Sequence, residues 1–173
     1  MLVKIIRLCN AVSCMIFGTK ILQLIYEPDE QLHVSCAPVE KSQLEDKQLR
    51  QFFIHLRATM KQAKGVGIAA PQVGNLIRAC WVSTHGKDAI LLINPVIVVR
   101  SHDSVWGEEG CLSIPGVFGE VLRAKTVDIE YWDSHGDNHR MYAEDFLARV
   151  IQHEIDHLDG VLFTSKARNV YHV

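Results

Sequence analysis

AEDFLARVIQHEIDHLDG, residues 143–160, is the stretch of this chain whose periodicity leaves least choice of element. Phe146, Leu147, Val150, Ile151, Ile155 and Leu158 recur at three- and four-residue steps and cover most of a helical circumference. A helix that apolar is buried, not laid on a surface. Glu144 and Asp145 suit the positive end of its dipole and Asp159-Gly160 supplies a stop, so the helix is expected to begin near Ala143. Inside it stands His153-Glu154-Ile155-Asp156-His157. Residues four apart lie one above the other, so the two imidazoles can hold one metal ion between them. Glu154 is offset from His153 by about 100°. It can reach toward an open coordination position without being a ligand, which suits a general base acting on water there. Two histidines and a glutamate would be costly to bury for packing alone.

Upstream the pattern is mixed. From about Leu44 to Ala63, Leu49, Phe52, Phe53, Leu56 and Met60 form the stripe of an amphipathic helix, with Gly65 placed as its stop. Pro28-Asp29 before Leu32 reads as a turn into an early loop or short helix. Leu76 to Val82, Ile90 to Val99 and Val121 to Trp132 are rich in branched and aromatic residues, and Val127, Ile129 and Tyr131 alternate with polar neighbours as in a half-buried strand. Asp133 to Asn138 is a hairpin turn by composition, with His139 to Tyr142 returning. The expected fold class is α+β, with mostly antiparallel strands around a buried helix and one N-terminal amphipathic helix.

Composition narrows the function classes. The chain has 173 residues, the size of one domain, and a formal net charge of −2, which gives no electrostatic reason to expect nucleic acid or an acidic membrane as a partner. No apolar run approaches the ~20 residues that span a bilayer. Five scattered cysteines, an odd number, point to a reducing compartment rather than a disulfide framework. The first 26 residues hold Lys4, Arg7 and Lys20 and no acid. That start reads either as a targeting segment or as a translation start placed too early, with Met15 the initiator. The division expected is an extension over 1–18 and a single catalytic domain over 19–173.

A catalytic metal site normally takes three protein ligands and keeps one place open, so the two histidines need a third. Cys111 stands apart from the other candidates because it lies in Glu109-Gly110-Cys111-Leu112-Ser113, among short turn-forming residues. As a thiolate it would complete a Cys-His-His set; as a buried inert thiol it would not, and the local sequence leaves both open. Gly65-Val66-Gly67-Ile68-Ala69-Ala70-Pro71-Gln72 contains Gly-x-Gly, but Pro71 and Gly74 argue against the helix that a phosphate-cradling loop must open. A strand of small residues fits better, with Gln72 at its end as a neutral hydrogen-bond donor.

Taken together, Gly65–Gln72, Glu109–Ser113 and Gln152–Gly160 resemble, in order and spacing, the three signature segments of the peptide deformylases, and the likeness runs from about Ile21 to Phe163. The resemblance implies a metal-dependent hydrolase that removes the N-formyl group from formylmethionine at the start of new polypeptides and releases formate. It implies that Cys111, His153 and His157 bind the metal and that Glu154 moves the proton. Gln72 and the backbone N–H of Leu112 would then stabilise the oxyanion. Val66, Gly67, Gly110, Phe146 and Arg149 are implied as substrate-binding, with the peptide extended beside a strand and its methionine side chain in an apolar pocket. Glu109 and Arg123 are expected to form a salt bridge that braces the metal loop.

The donor set alone suits zinc; the resemblance implies iron(II), with zinc, nickel or cobalt able to substitute. Partners implied are N-formylmethionyl peptides and nascent chains, in a bacterial-type cytoplasm. Two features depart from the family pattern. Arg149 occupies a place that is often apolar, where a guanidinium would either narrow the methionine pocket or point outward. The chain also runs only 13 residues past Gly160, where many relatives continue into a helix that in some bacterial forms docks on the ribosome, so docking is not assumed. A metallopeptidase shares His-Glu-x-x-His but usually finds its third ligand downstream, where only His172 is available. A degenerate relative that binds without turnover is argued against by the intact Glu154, Gln72 and ligand set.

Overall fold

In the computed structural model, residues 19–83 and 88–173 are described; the expectations about residues 1–18 and Met15 lie outside them. The Asp29 carboxylate accepts from Gln31 N–H at 2.9 Å and starts a 3-10 turn over Glu30–His33. A second 3-10 turn, Lys41–Glu45, precedes helix α1, Lys47–Gln62. Asp46 caps α1 by accepting from Gln48 N–H at 2.8 Å, so the helix starts later than the expected Leu44. It also stops earlier than Gly65. Lys64, just before the glycine, takes the left-handed conformation (φ 56°).

Among the described residues eight strands follow. β1 is Gly67–Ala69, β2 Ala79–Val82, β3 Ile90–Arg100, β4 Ser104–Cys111, β5 Ile114–Ala124, β6 Thr126–Trp132 and β7 Asn138–Glu144. After them come helix α2, Asp145–Leu158, and strand β8, Arg168–His172. All strand pairs are antiparallel, in a five-stranded sheet ordered β1-β2-β3-β6-β7 and a three-stranded sheet ordered β4-β5-β8. The α+β expectation holds.

Because side chains alternate along a strand, the five-stranded sheet can be buried on both faces. Ala69, Cys80, Val82 and Leu92 face one way, toward Ala148, Ile151, Ile155 and Leu158 of α2. Ala79, Leu91 and Ile93 face the other way, toward Phe53 of α1, and Ile68 and Ala70 pack with Leu56 and Met60. The late helix is therefore buried as expected, except at its first turn, where Phe146 is 41% exposed.

The branched and aromatic run Val121–Trp132 is divided between two strands in different sheets, and the expected half-buried strand is β6. The break has a cause 28 residues away: the Gln152 side-chain amide accepts from Ala124 N–H at 3.1 Å and donates to Ala124 C=O at 2.9 Å. Ala124 thus satisfies its backbone on α2, and Lys125 N–H turns to Asp103 C=O. β4 was not anticipated, and it puts Cys111 at a strand end instead of in a free loop.

Two core thiols give a first test. Burial pushes the Cys36 thiol up to about 11 and the Cys80 thiol well above its ordinary value. At pH 8 only about a thousandth of Cys36 is then the reactive thiolate. Iodoacetamide on the native protein, followed by peptide mapping, should leave Cys36 and Cys80 unmodified while a free cysteine peptide reacts fully. Labelling of either at the free-peptide rate would contradict their placement.

Candidate active site

The β4–β5 hairpin brings Cys111 to α2, where His153 and His157 lie one turn apart. One ligand atom from each of the three lies within 4.8 Å of the others. Cys111 Sγ is 3.2 Å from His157 Nε2, and the imidazole rings meet edge to face with centroids 4.9 Å apart. Donors held ~2.0–2.3 Å from one tetrahedral ion stand roughly 3.3–3.8 Å apart, so this trio needs only small adjustment to close on a metal.

Protonation fits as well. Burial, with the charge on His153, pushes the His157 imidazole well below its ordinary value, so its ring is neutral and able to ligate. Burial also pulls His153 down, but hydrogen bonds to Cys111 and Glu109 outweigh it and lift the imidazolium to about 10. Burial alone would raise the Glu109 carboxyl, yet Arg123 and His153 hold it well below the usual carboxylate range. The expected Glu109–Arg123 salt bridge is present and bidentate, with Nε–Oε1 at 2.8 Å and Nη2–Oε2 at 2.9 Å. His153 Nδ1 sits 3.0 Å from Glu109 Oε2. A carboxylate only accepts, so Nδ1 keeps its proton on Glu109, and Nε2 is the nitrogen that would meet a metal on giving up its own. The Cys-His-His residues fit a divalent ion.

Glu154, one residue on, is 4% exposed, and burial lifts its carboxyl to about 7. Its Oε2 and Nδ1 of His157 are buried with no partner among the described residues. Gln72 is 2% exposed and sits not at the strand end but in the 3-10 turn Ala70–Val73 that follows β1. Its Oε1 accepts from Ala69 N–H at 2.9 Å, which aims Nε2 at Ser113 Oγ (3.2 Å) and Cys111 Sγ (3.5 Å). Ile25 N–H donates to Gln72 C=O and Glu27 N–H to Ser113 C=O, so the chain before the first 3-10 turn straps both segments.

These groups open onto a groove of about 390 Å³. One wall is Val66 and Gly67 on the β1 side, another Glu109, Gly110, Cys111 and Leu112, and the floor includes Phe146, Arg149, Val150 and His153. All the sequence-derived site residues line this groove except His157, which lies behind Cys111. Two of the glycines have close neighbours of their own. A Cβ on Gly67 would stand 2.1 Å from Glu154 Oε1, and one on Gly110 would stand 2.8 Å from the Phe118 ring.

The Polypeptide deformylase family model matches residues 21–172. The chain belongs to this family. Peptide deformylase 1 of Bacillus cereus is 43% identical over 152 residues, covering 87% of this chain and 95% of that protein. The peptide deformylase of Desulforudis audaxviator is 38% identical over 151 residues, covering 87% and 96%. In structure, the chain is similar to the Met-Ala-Ser bound class I type b peptide deformylase of Acinetobacter baumannii, with a TM-score of 0.83, 34% identity, and coverage of 86% of this chain and 99% of that one. The protein is a metal-dependent hydrolase that removes the formyl group from formylmethionyl peptides. No helix among the described residues of this deformylase is long and apolar enough to cross a membrane.

Two site features escaped the sequence. Ser113 is fully buried and accepts from Gln72, and its place inside Glu109–Ser113 was the available signal. The Arg149 guanidinium neither simply narrows the methionine pocket nor points outward. It is tied to Glu109 Oε1 at 2.8 Å and to three main-chain carbonyls. Gly67→Ala should push the Glu154 carboxylate aside and, with Glu154 as the base proposed below, cost about 10²-fold in kcat. Formate release slowed by about that factor is the expected result; wild-type turnover would mean that Glu154 tolerates the shift.

Proposed function

We propose that Cys111, His153 and His157 hold the catalytic ion and that Glu154 is the base. Gln72 Nε2 and the backbone N–H of Leu112 supply the oxyanion donors. The observation that carries this reading is the convergence of one sulfur and two ring nitrogens within 4.8 Å at the wall of the groove that Glu154 also lines. Bound there, a divalent ion supplies Lewis acidity that polarises the formyl carbonyl and makes water a nucleophile near neutral pH.

The side chains do the rest. The Glu154 carboxylate takes a proton as the water oxygen bonds to the formyl carbon, and then gives it to the nitrogen as the carbon–nitrogen bond breaks. Formate and a peptide with a free amino group result. The Gln72 amide, held by Ala69, is already oriented and pays no reorganisation when negative charge develops on the carbonyl oxygen.

For the substrate, an extended peptide fits because the groove runs between two sheet edges: β1 ends one sheet and β4 the other. Unpaired strand edges accept a further strand, and pockets then read the side chains. Val66, Phe146 and Val150 would enclose the methionine side chain, with Gly67 and Gly110 beside the main chain and Arg149 in the floor. That the Acinetobacter baumannii relative binds Met-Ala-Ser supports a methionine-led peptide as the ligand. Nascent chains in a bacterial-type cytoplasm are the natural source of such substrates, a reading supported by the bacterial relatives. For the ion we propose iron(II) on family resemblance, with zinc, nickel or cobalt as substitutes.

The test is formate release from formyl-Met-Ala-Ser by anaerobically purified protein, with metal analysis of the same sample. Formate without internal cleavage, one ion per chain and loss of both in Cys111→Ser are expected. Internal cleavage without formate, or unchanged metal content in Cys111→Ser, would overturn the assignment.

A further inference from the structure

The surroundings of Glu109 assign a task to a residue outside the three signature segments. A carboxylate offers about four lone-pair positions, and at Glu109 all are used. Oε1 accepts from Arg123 Nε and Arg149 Nη1, each at 2.8 Å, while Oε2 accepts from Arg123 Nη2 at 2.9 Å and His153 Nδ1 at 3.0 Å. Arg149 does more than fill the last position. Its guanidinium also donates to Val105 C=O at 2.7 Å and Gly107 C=O at 3.2 Å in β4, and to Val121 C=O at 2.9 Å in β5. It stands one turn before His153 on α2. Gly107 leaves room for it, since a Cβ there would lie 2.7 Å from Nη2 and 2.8 Å from Cζ.

We infer that Arg149 is a positioning residue for the metal centre: it straps the hairpin carrying Cys111 onto the helix carrying both histidines and closes the last acceptor site of Glu109, rather than selecting the methionine side chain. The inference rests on Cys111, His153 and His157 being the ligands. A planar fork with five donors can reach a carboxylate and three carbonyls at once, and a lysine ammonium cannot, so the pair Arg149 and Gly107 is specific. A loosened strap lets the sulfur and the imidazoles separate, and with them the fit to the ion.

The experiment titrates full-length, metal-free protein with Co(II) against a chelating dye and records the thiolate-to-cobalt charge-transfer band. R149M should bind Co(II) roughly 10–100-fold more weakly, the usual cost of removing an outer partner of a ligand. Its band should shift, with KM for formyl-Met-Ala-Ser little changed. G107A, which keeps Arg149 but displaces it, should change affinity and band in the same direction, and R149K should recover only part of the loss. If R149M does not fold, G107A and R149K carry the same readouts. Wild-type affinity and band in the variants, whether with an altered KM or only a lower Tm, overturn the inference. If C111S binds Co(II) as tightly as wild type, the ligand assignment itself has failed, and that result is distinguishable from all the others.

Discussion

Glu154→Gln is expected to retain a full complement of metal and to lose about 10²–10⁴-fold in kcat, the usual share of a positioned acid–base group. The substitution keeps the shape of a buried side chain and removes only its ability to take a proton. The environment offers no replacement. Glu154 is 4% exposed, Gly67 lies against it, and Oε2 has no partner among the described residues. Metal content should hold because His153 takes its orientation from Glu109 and not from Glu154. Formate release measured beside metal stoichiometry checks both halves. Turnover near wild type would remove Glu154 as the base, and loss of metal would make it a structural partner of the ligands instead.

Gln72→Leu should show two separable losses. Without the Nε2 donor, kcat/KM should fall about 10²–10³-fold, as for removal of one oxyanion donor. Without Oε1, the Ala69 N–H loses its 2.9 Å acceptor in a fully buried strand, which costs about 1–3 kcal/mol of stability. The side chain therefore carries both chemistry and fold, and a lower Tm is expected alongside the slower rate. Gln72→Glu retains an acceptor for Ala69 but puts a buried carboxyl beside Cys111 Sγ in place of the donor, so the rate should not recover. A variant that keeps its rate while losing only stability would confine Gln72 to a structural role.

The parts of this molecule that were legible in advance have local signatures. The α2 helix announces itself by period, and two histidines four apart on it need no partner elsewhere to be read as a pair. Cys111 was not readable in that way; its own neighbours allowed a plain core thiol, and only the resemblance joined it to the histidines. Nor was the strand break at Ala124, because its cause is a glutamine amide on a helix that is distant in sequence. Arg149 was visible as an oddity but not as a strap, since its acceptors are main-chain carbonyls and every residue has one. β4 was missed because Gly107 and Gly110 dilute its alternation, and both are glycine for tertiary reasons, to admit a guanidinium and a ring.

The amides of Ile25 and Glu27 hold the carbonyls of Gln72 and Ser113. The opening stretch of the domain is thus a girder of the catalytic centre, though it contributes no reacting atom. Upstream of Ile25, Leu22 packs with Leu56 and Met60 and donates its N–H to Thr59. Shortening the polypeptide past Leu22 for expression or crystallisation should therefore cost stability first and activity with it.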